Sequence, residues 1–223
     1  MKLVREFASR EAMMQAAAER IAEALSQGMK ERGAGCAALS GGGTPEPAYR
    51  ALAALALDWP RVTFLLVDER FAPPSDPASN EGMLRRALAP ALAAGAQLLP
   101  MFADNATPEE AAARANAVYA RKHIDIALMG MGDDGHTASW FPQSPDLAAA
   151  LDLANPRTVI AVEAPGAAGS AMRLTMTRSA IAKARSRLLL LAGEQKRQAL
   201  PAHAAGAPVA ALLQLGADIF WAP

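Results

Sequence analysis

The chain has 223 residues, an apolar fraction of 52%, and 22 Lys plus Arg against 22 Asp plus Glu. This length and apolar content suit one domain with a sizeable core, and the balanced charge gives no reason to expect nucleic acid or an acidic membrane as a partner. The single cysteine, Cys36, excludes an intramolecular disulfide and a cysteine-based metal site, and it fits a reducing compartment.

No apolar run approaches the roughly 20 residues that cross a bilayer. The N-terminal segment carries Arg5, Glu6, Arg10 and Glu11, which is unlike a signal peptide. We therefore expect a cytoplasmic protein with no membrane and no nucleic acid among its partners, present as a monomer or a small homo-oligomer.

The N-terminal part of the chain predicts a helix, a strand and a glycine-rich turn. Ser9 can cap a helix over residues 10–31, and an apolar strand follows over 36–39. The turn then reads Ser40, Gly41, Gly42, Gly43, Thr44 and Pro45. Thr44 is placed to cap a helix over 45–56, with the proline as its first residue.

The same turn predicts an anion site. Free backbone N–H groups at a helix N-terminus bind anions, and the hydroxyls of Ser40 and Thr44 would add donors. The alternative is a tight strand-to-helix turn without a ligand, but three successive glycines cost more conformational entropy than one turn requires. We therefore interpret the turn as a phosphate-binding loop, although it lacks the Gly-Lys-Ser/Thr sequence of a Walker loop.

A second buried strand, over 62–67, ends at the charged triplet Asp68, Glu69 and Arg70. These charges lie where the strand would reach the edge of a sheet. A solvated strand end would be the better explanation if the triplet stood alone. The proline-rich segment 71–80 is too irregular for a helix or a strand, and it is predicted to form a loop at the rim of the site.

Helices and strands alternate through the rest of the chain. The predicted helices cover residues 80–93, 108–121, 178–184 and 194–204, and Thr107 caps the second of them. The predicted strands cover 98–101, 124–129, 157–163, 173–177, 187–192 and 219–221, the last at a sheet edge, and residues 164–171 form a small-residue linker. This alternation predicts one α/β domain over residues 1–223, with a mostly parallel sheet covered by helices on both faces.

The strand over 124–129 leads into a segment that combines glycines, two carboxylates and an imidazole. It reads Gly130, Met131, Gly132, Asp133, Asp134, Gly135, His136 and Thr137. Glycines let the backbone approach a ligand closely, and ligands bind at the carboxyl ends of strands in α/β sheets. Asp134 can fix the tautomer of His136 and make its imidazole a better base, although the sequence leaves open whether Asp133 or Asp134 makes this contact. Because the chain has no Gly-x-Ser-x-Gly elbow, the pair predicts activation of water or proton transfer to a sugar.

Three other interpretations of this segment compete with catalysis. It matches the dinucleotide pattern G-x-G-x-x-G, but Asp133 and Asp134 would place two negative charges beside a pyrophosphate, and no helix follows at once. A loop histidine is more often a surface residue than a catalyst, although glycines, carboxylates and His136 coincide here. A metal could take Asp133, Asp134 and His136 as ligands, but the sequence has no His-x-x-x-His or cysteine cluster, and we expect no metal.

Four blocks, in this order and at this spacing, resemble one family, the 6-phosphogluconolactonases. They are LSGGGTP at 39–45, VDER at 67–70 with Ser79-Asn80 after it, GMGDDGHTAS at 130–139 with Phe141-Pro142, and RLT at 173–175 with GEQK at 193–196. The resemblance implies a Rossmann-like α/β fold, shared with glucosamine-6-phosphate deaminases. It also implies hydrolysis of 6-phospho-D-glucono-1,5-lactone to 6-phospho-D-gluconate, the second step of the oxidative pentose phosphate pathway.

By this resemblance His136 is the general base, Asp134 lies beside it, and Arg70 is a cation near the reacting group. The implied substrate and phosphate contacts are Ser40, Gly41, Gly42, Gly43, Thr44, Asp68, Arg173 and Lys196. We expect His136 to deprotonate a water that attacks C1, while Arg70 or loop N–H groups stabilise the oxyanion. This chemistry requires no covalent intermediate, metal or organic cofactor.

Two alternatives stay open. Glucosamine-6-phosphate deaminases resemble this chain at the glycine loop and around His136, but they carry a glutamate in an Asn-Glu-Pro context where this chain has Trp140, Phe141 and Pro142. That difference disfavours aldose–ketose isomerisation of an aminosugar. A sugar-phosphate-binding regulator without catalysis is the second alternative, and the intact pair of Asp134 and His136 disfavours it.

Overall fold

The computed structural model describes residues 4–167 and 170–223. Its strands are β1 (Val4–Glu6), β2 (Gly35–Leu39), β3 (Val62–Leu66), β4 (Asp68–Arg70), β5 (Gln97–Leu99), β6 (Ile126–Gly130), β7 (Val159–Glu163), β8 (Met172–Met176), β9 (Ser186–Ala192) and β10 (Asp218–Ala222). Its helices are α1 (Arg10–Arg32), α2 (Glu46–Ala53), α3 (Asn80–Ala87), α4 (Ala89–Ala93), α5 (Pro108–Tyr119), α6 (Leu147–Leu151), α7 (Arg178–Ala182), α8 (Glu194–His203) and α9 (Val209–Gln214). Within these residues, no helix is both long and apolar enough to cross a membrane.

The main sheet is parallel and buried. Over the described ranges it has seven strands in the order β1-β10-β9-β6-β2-β3-β5, and each neighbouring pair is parallel. The central strands are nearly continuous apolar runs because helices flank the sheet. This arrangement confirms the predicted α/β class. It also brings the loops after β2, β6 and β9 to one edge, since the carboxyl ends of parallel strands lie together.

Two helix starts agree with the caps predicted from the sequence. The hydroxyl of Ser9 accepts a hydrogen bond from the N–H of Ala12 at the start of α1. Thr107 and Glu110 form a reciprocal capping box at the start of α5. Each cap satisfies N–H groups that lack a partner in the first turn of a helix.

Two other predicted helices begin or end differently. Helix α2 starts at Glu46 without a side-chain cap, so the predicted capping role of Thr44 is wrong. A capping side chain accepts from the second or third helical N–H, and the third residue after Thr44 is Pro47, which has no N–H. The predicted helix over 80–93 divides at Leu88 into α3 and α4, two residues before Pro90.

The structure also contains strand pairings that the sequence analysis did not predict. Strands β4, β8 and β7 form a small antiparallel sheet. Val67 joins the two sheets, because its N–H donates to Leu39 at 2.9 Å and its carbonyl accepts from Met176 at 2.8 Å. Strand β1 pairs with β10, so β10 is not the predicted edge strand. Residues 168–169 of the predicted linker over 164–171 lie outside the described residues.

A buried carboxylate fixes α1 against the end of the sheet opposite to the loops after β2 and β6. Asp125 is fully buried, accepts a hydrogen bond from the N–H of Cys36 at 2.9 Å, and is paired with Arg32 of α1. Gly28 makes this approach feasible, since a Cβ there would lie 2.3 Å from Oδ2 of Asp125. A glycine inside a long helix is therefore explained by close packing.

The substitution Asp125→Asn should lower the free energy of unfolding by about 2–3 kcal/mol, because a charge-assisted contact to Arg32 is lost in a buried position. Urea denaturation measures this change. The control Glu23→Gln removes an exposed partner of Arg20 on the same helix, and it should cost less than about 1 kcal/mol. Equal losses in the two variants would contradict the role assigned to Asp125.

Candidate active site

A pocket of about 240 Å³ opens at the carboxyl edge of the main sheet. It is bordered by the glycine loop after β2, by β4, by the loop after β6 and by the start of α8. Most of the residues predicted from the sequence line it, namely Ser40, Gly41, Gly42, Gly43, Thr44, Asp68, Arg70, His136 and Lys196. Asp134 supports the lining from behind His136, and Arg173 lies outside the lining.

His136 is paired with Asp134. Nδ1 of the imidazole lies 2.5 Å from Oδ1 of Asp134, and the backbone N–H of His136 donates to the same oxygen at 3.1 Å. Burial raises the pKa of Asp134, but these two contacts with His136 outweigh burial, so the net pKa is below its usual value. The carboxylate therefore stays ionised and favours a proton on Nδ1, which leaves Nε2 as the basic nitrogen.

The glycines around this pair make room for the imidazole. A Cβ on Gly132 would lie 2.2 Å from Cε1 and 2.3 Å from Nδ1 of His136. Gly135 has a φ of +78°, and its N–H donates to the carbonyl of Gly132 at 3.0 Å, which closes a tight turn. The ring of Phe141 packs on the imidazole with centroids 4.2 Å apart. The G-x-G-x-x-G pattern thus serves a compact loop around His136.

The glycine loop presents open backbone to the pocket. A Cβ on Gly42 or on Gly43 would meet no atom within 4 Å, and Gly42 has a φ of +96°. The hydroxyl of Ser40 donates to the carbonyl of Leu128 at 2.9 Å, so it is used within the fold and is not the free donor that we predicted. The loop therefore offers an anion its backbone N–H groups.

Two cations and one carboxylate border the pocket. Lys196, in the first turn of α8, donates to the carbonyl of Met131 at 2.6 Å. Arg70 lies at the end of β4, and its guanidinium contacts the carbonyl of Ala78. Asp68 accepts a hydrogen bond from the hydroxyl of Ser139 at 2.7 Å. Such a set can bind a phosphate and a polar sugar ring.

The position of Arg173 differs from the prediction. It is opposite Arg70 in the pairing of β8 with β4, and only 3% of its surface is exposed. Burial lowers its pKa, and the charge of Arg70 lowers it further. Its guanidinium carbon lies 5.9 Å from the ring centroid of Phe141. Arg173 therefore adds positive charge behind the wall of the pocket and is not placed as a phosphate anchor.

Glu69 is an important residue whose role the sequence did not reveal. Its fully buried carboxylate accepts hydrogen bonds from the N–H groups of Arg70, Asn80 and Glu81, at 2.6–2.8 Å, and from the hydroxyl of Ser79 at 3.0 Å. It thereby ties β4 to the first turn of α3. Burial raises its pKa to about 7, although the four hydrogen bonds oppose this shift.

Asn80 is a second residue that the sequence analysis did not select. It lines the pocket, and its amide donates to the carbonyl of Asp68 at 2.8 Å. A Cβ on Gly41 would lie 1.8 Å from Oδ1 of Asn80, so the first glycine of the loop is required by this contact. In the sequence, Ser79 and Asn80 were linked to the charged triplet only because both belong to one block of the family resemblance.

Asp133, in the loop after β6, contacts residues of α8. Asp133 has 78% of its side chain exposed and lies 3.8 Å from Lys196. Nε2 of His203, the last residue of α8, lies 3.0 Å from the carbonyl of Asp133 and supports the loop from outside. Among the described residues, no group of three or more His, Cys, Asp or Glu side chains could hold a metal ion.

Comparison with known proteins gives a consistent result. A family model described as glucosamine-6-phosphate isomerases/6-phosphogluconolactonase matches residues 8–221. A 6-phosphogluconolactonase of Pseudomonas putida is 38% identical over 226 residues, covering 99% of this chain and 93% of that protein. One from Caulobacter vibrioides is 40% identical over 210 residues, covering 93% and 90%. The crystal structure of a 6-phosphogluconolactonase from Shewanella baltica superposes with a TM-score of 0.92 at 30% identity, covering 100% of this chain and 98% of that one.

The raised pKa of Glu69 predicts a pH-dependent stability. A carboxyl group with a pKa of about 7 in the folded state and 4.5 as its usual value favours folding in its protonated form. That contribution is fully present below pH 4.5 and is lost as the pH rises through about 7. Between pH 5 and pH 8, the wild type should therefore lose about 2–3 kcal/mol of unfolding free energy relative to Glu69→Gln.

Urea denaturation of both proteins at the two pH values measures this difference. The variant Glu23→Gln, on the exposed face of α1, is the matched control and should follow the wild type at both pH values. A constant difference between wild type and Glu69→Gln would show that Glu69 titrates like an exposed carboxyl group.

Proposed function

Because this chain belongs to the glucosamine-6-phosphate isomerase/6-phosphogluconolactonase family, we propose that its pocket hydrolyses 6-phospho-D-glucono-1,5-lactone to 6-phospho-D-gluconate with His136 as general base. The chain is an enzyme of the 6-phosphogluconolactonase type. The observation that carries the proposed mechanism is the short contact between His136 and Asp134 at the edge of a pocket that also holds two cations.

The proposed reaction begins with water. Nε2 of His136 takes a proton from a water molecule while the water oxygen attacks C1 of the lactone. Asp134 holds the imidazole in place and stabilises the positive charge that the ring acquires. The tetrahedral oxyanion then collapses, the bond from C1 to the ring oxygen breaks, and the ring oxygen takes up the proton from the imidazolium. The products are a carboxylic acid, which ionises, and a free sugar hydroxyl.

The two cations have different proposed partners. Lys196 and the open backbone of Gly42 and Gly43 bind the 6-phosphate, because a phosphate is well matched by N–H groups and an ammonium. Arg70 faces the lactone and stabilises the oxyanion. Asp68 accepts a hydrogen bond from a sugar hydroxyl through the oxygen that Ser139 leaves available. The proposed compartment is the cytoplasm, where phosphorylated sugars are retained by their charge.

Phe141 argues against the deaminase alternative. The family resemblance implies a glutamate close after the histidine in deaminases, and this chain packs the ring of Phe141 on His136 in that region. An apolar ring cannot carry the proton that isomerisation of an aminosugar requires.

The substitution His136→Asn should reduce kcat/KM for the lactone by about 10²–10⁴-fold, because the amide cannot take a proton from water. The lactone is generated by oxidation of glucose 6-phosphate, and its loss is followed with spontaneous hydrolysis subtracted. His123→Asn, at an exposed position before β6, is the control and should behave as the wild type. Full activity of His136→Asn would refute the assignment of the base.

The substitution Lys196→Met should raise KM by about 10–100-fold and change kcat much less, because it removes a charged contact to a phosphate that does not react. Steady-state kinetics with the lactone test this split. Lys183→Met removes an exposed ammonium far from the pocket and should leave both constants unchanged. A fall in kcat at unchanged KM would place Lys196 at the lactone carbonyl instead.

A further inference from the structure

Thr137 follows the proposed base in the chain and lines the same pocket. The residue is 1% exposed, and its hydroxyl has no hydrogen-bond partner among the described residues. Other buried threonines in this part of the molecule are satisfied: Thr175 donates to the carbonyl of Met176 at 3.2 Å, and Thr177 donates to that of Arg157 at 2.7 Å. A buried hydroxyl without a hydrogen-bond partner is energetically unfavourable.

The backbone next to Thr137 is also held in an unfavourable conformation. Ala138 has a φ of +51°, in the left-handed region that residues with a Cβ rarely adopt. The surrounding structure enforces this turn, because the N–H of Ser139 donates to Thr175 at 3.3 Å and the indole of Trp140 donates to the carbonyl of Met176 at 2.9 Å. An unpartnered hydroxyl and a strained backbone angle therefore occur at two consecutive pocket residues. Unfavourable features cluster in this way at functional sites.

We propose that the hydroxyl of Thr137 donates a hydrogen bond to the oxygen on C1 of the lactone as the oxyanion forms. This inference rests on the proposed function. The hydroxyl of Thr137 is enclosed in the free protein, so this contact requires its side chain to rotate about χ1 toward the end of the substrate on which His136 acts. The Cα atoms of the two consecutive residues are about 3.8 Å apart. In the proposed binding mode, the 6-phosphate of the substrate lies in the glycine loop, away from this hydroxyl. The bound lactone thus provides the partner that the free protein lacks.

Thr137 forms no covalent bond in this scheme. Water supplies the attacking oxygen and His136 takes the proton, while the C1 carbonyl electron pair moves onto the oxygen that Thr137 contacts. When that pair returns, the bond from C1 to the ring oxygen breaks and the imidazolium returns the proton to the ring oxygen. The hydroxyl of Thr137 keeps its own proton throughout, so it acts only as a donor to the developing charge.

The test compares Thr137→Val, which keeps the shape of the side chain and removes the hydroxyl, with Thr137→Ser, which keeps the hydroxyl. Thr175→Val is the matched control, because it removes a buried hydroxyl that already has partners. For each protein, Tm is measured without ligand, and kcat and KM are measured with the lactone after subtraction of spontaneous hydrolysis.

We expect Thr137→Val to have a higher Tm than the wild type and a kcat lower by about 100-fold, with little change in KM. Thr137→Ser should retain most of the wild-type kcat, and Thr175→Val should have a lower Tm. A residue with a merely structural role would lose stability and activity together, so the opposite signs distinguish the two roles.

The inference is overturned if Thr137→Val retains the wild-type kcat, if its Tm falls together with its activity, or if only KM changes. Failure of the proposed function is a separate result, because the wild type itself would then not accelerate loss of the lactone above the spontaneous rate.

Discussion

The buried carboxylate of Glu69 holds together the parts of the molecule that form the pocket. Three of its four hydrogen bonds join β4, which carries Asp68 and Arg70, to the start of α3, which carries Asn80. Asn80 in turn packs on Gly41 at the start of the glycine loop. A buried carboxylate is unfavourable unless donors surround it, and here two backbone N–H groups and one hydroxyl at the start of α3 supply three of the four donors. β4, the start of α3 and the beginning of the glycine loop therefore depend on one side chain that the substrate need not touch.

The other side of the pocket depends on close approach of backbone and imidazole. Gly132 leaves space that a Cβ would fill, and Asp134 then holds His136 by Nδ1 at 2.5 Å. Lys196 and His203 contact backbone carbonyls of the same loop at 2.6 and 3.0 Å. The parallel sheet brings this loop beside the glycine loop, since β6 and β2 are neighbours. The contacts within the loop and the strand order of the sheet thus act together to bring His136 and the glycine loop to one pocket.

The sequence predicted those parts of the structure whose cause lies within a few residues. The caps at Ser9 and Thr107 and the buried parallel strands belong to this group. The sequence did not decide whether Asp133 or Asp134 contacts His136, and the structure pairs His136 with Asp134. The role of Glu69 was missed because its partners at the start of α3 meet it only when the loop between them folds. The position of Arg173 was not predicted because it depends on the pairing of β4 with β8, which lie about a hundred residues apart in the chain. The unpartnered hydroxyl of Thr137 likewise depends on what surrounds it in three dimensions.

The central claim is that this pocket adds water to a phosphorylated lactone and does not rearrange an aminosugar. The most direct measurement gives the purified wild-type enzyme both substrates in parallel. Loss of 6-phospho-D-glucono-1,5-lactone is followed above its spontaneous rate, and release of ammonia is followed from glucosamine 6-phosphate. We expect a large acceleration with the lactone and no ammonia. Ammonia release without acceleration of lactone hydrolysis would contradict it.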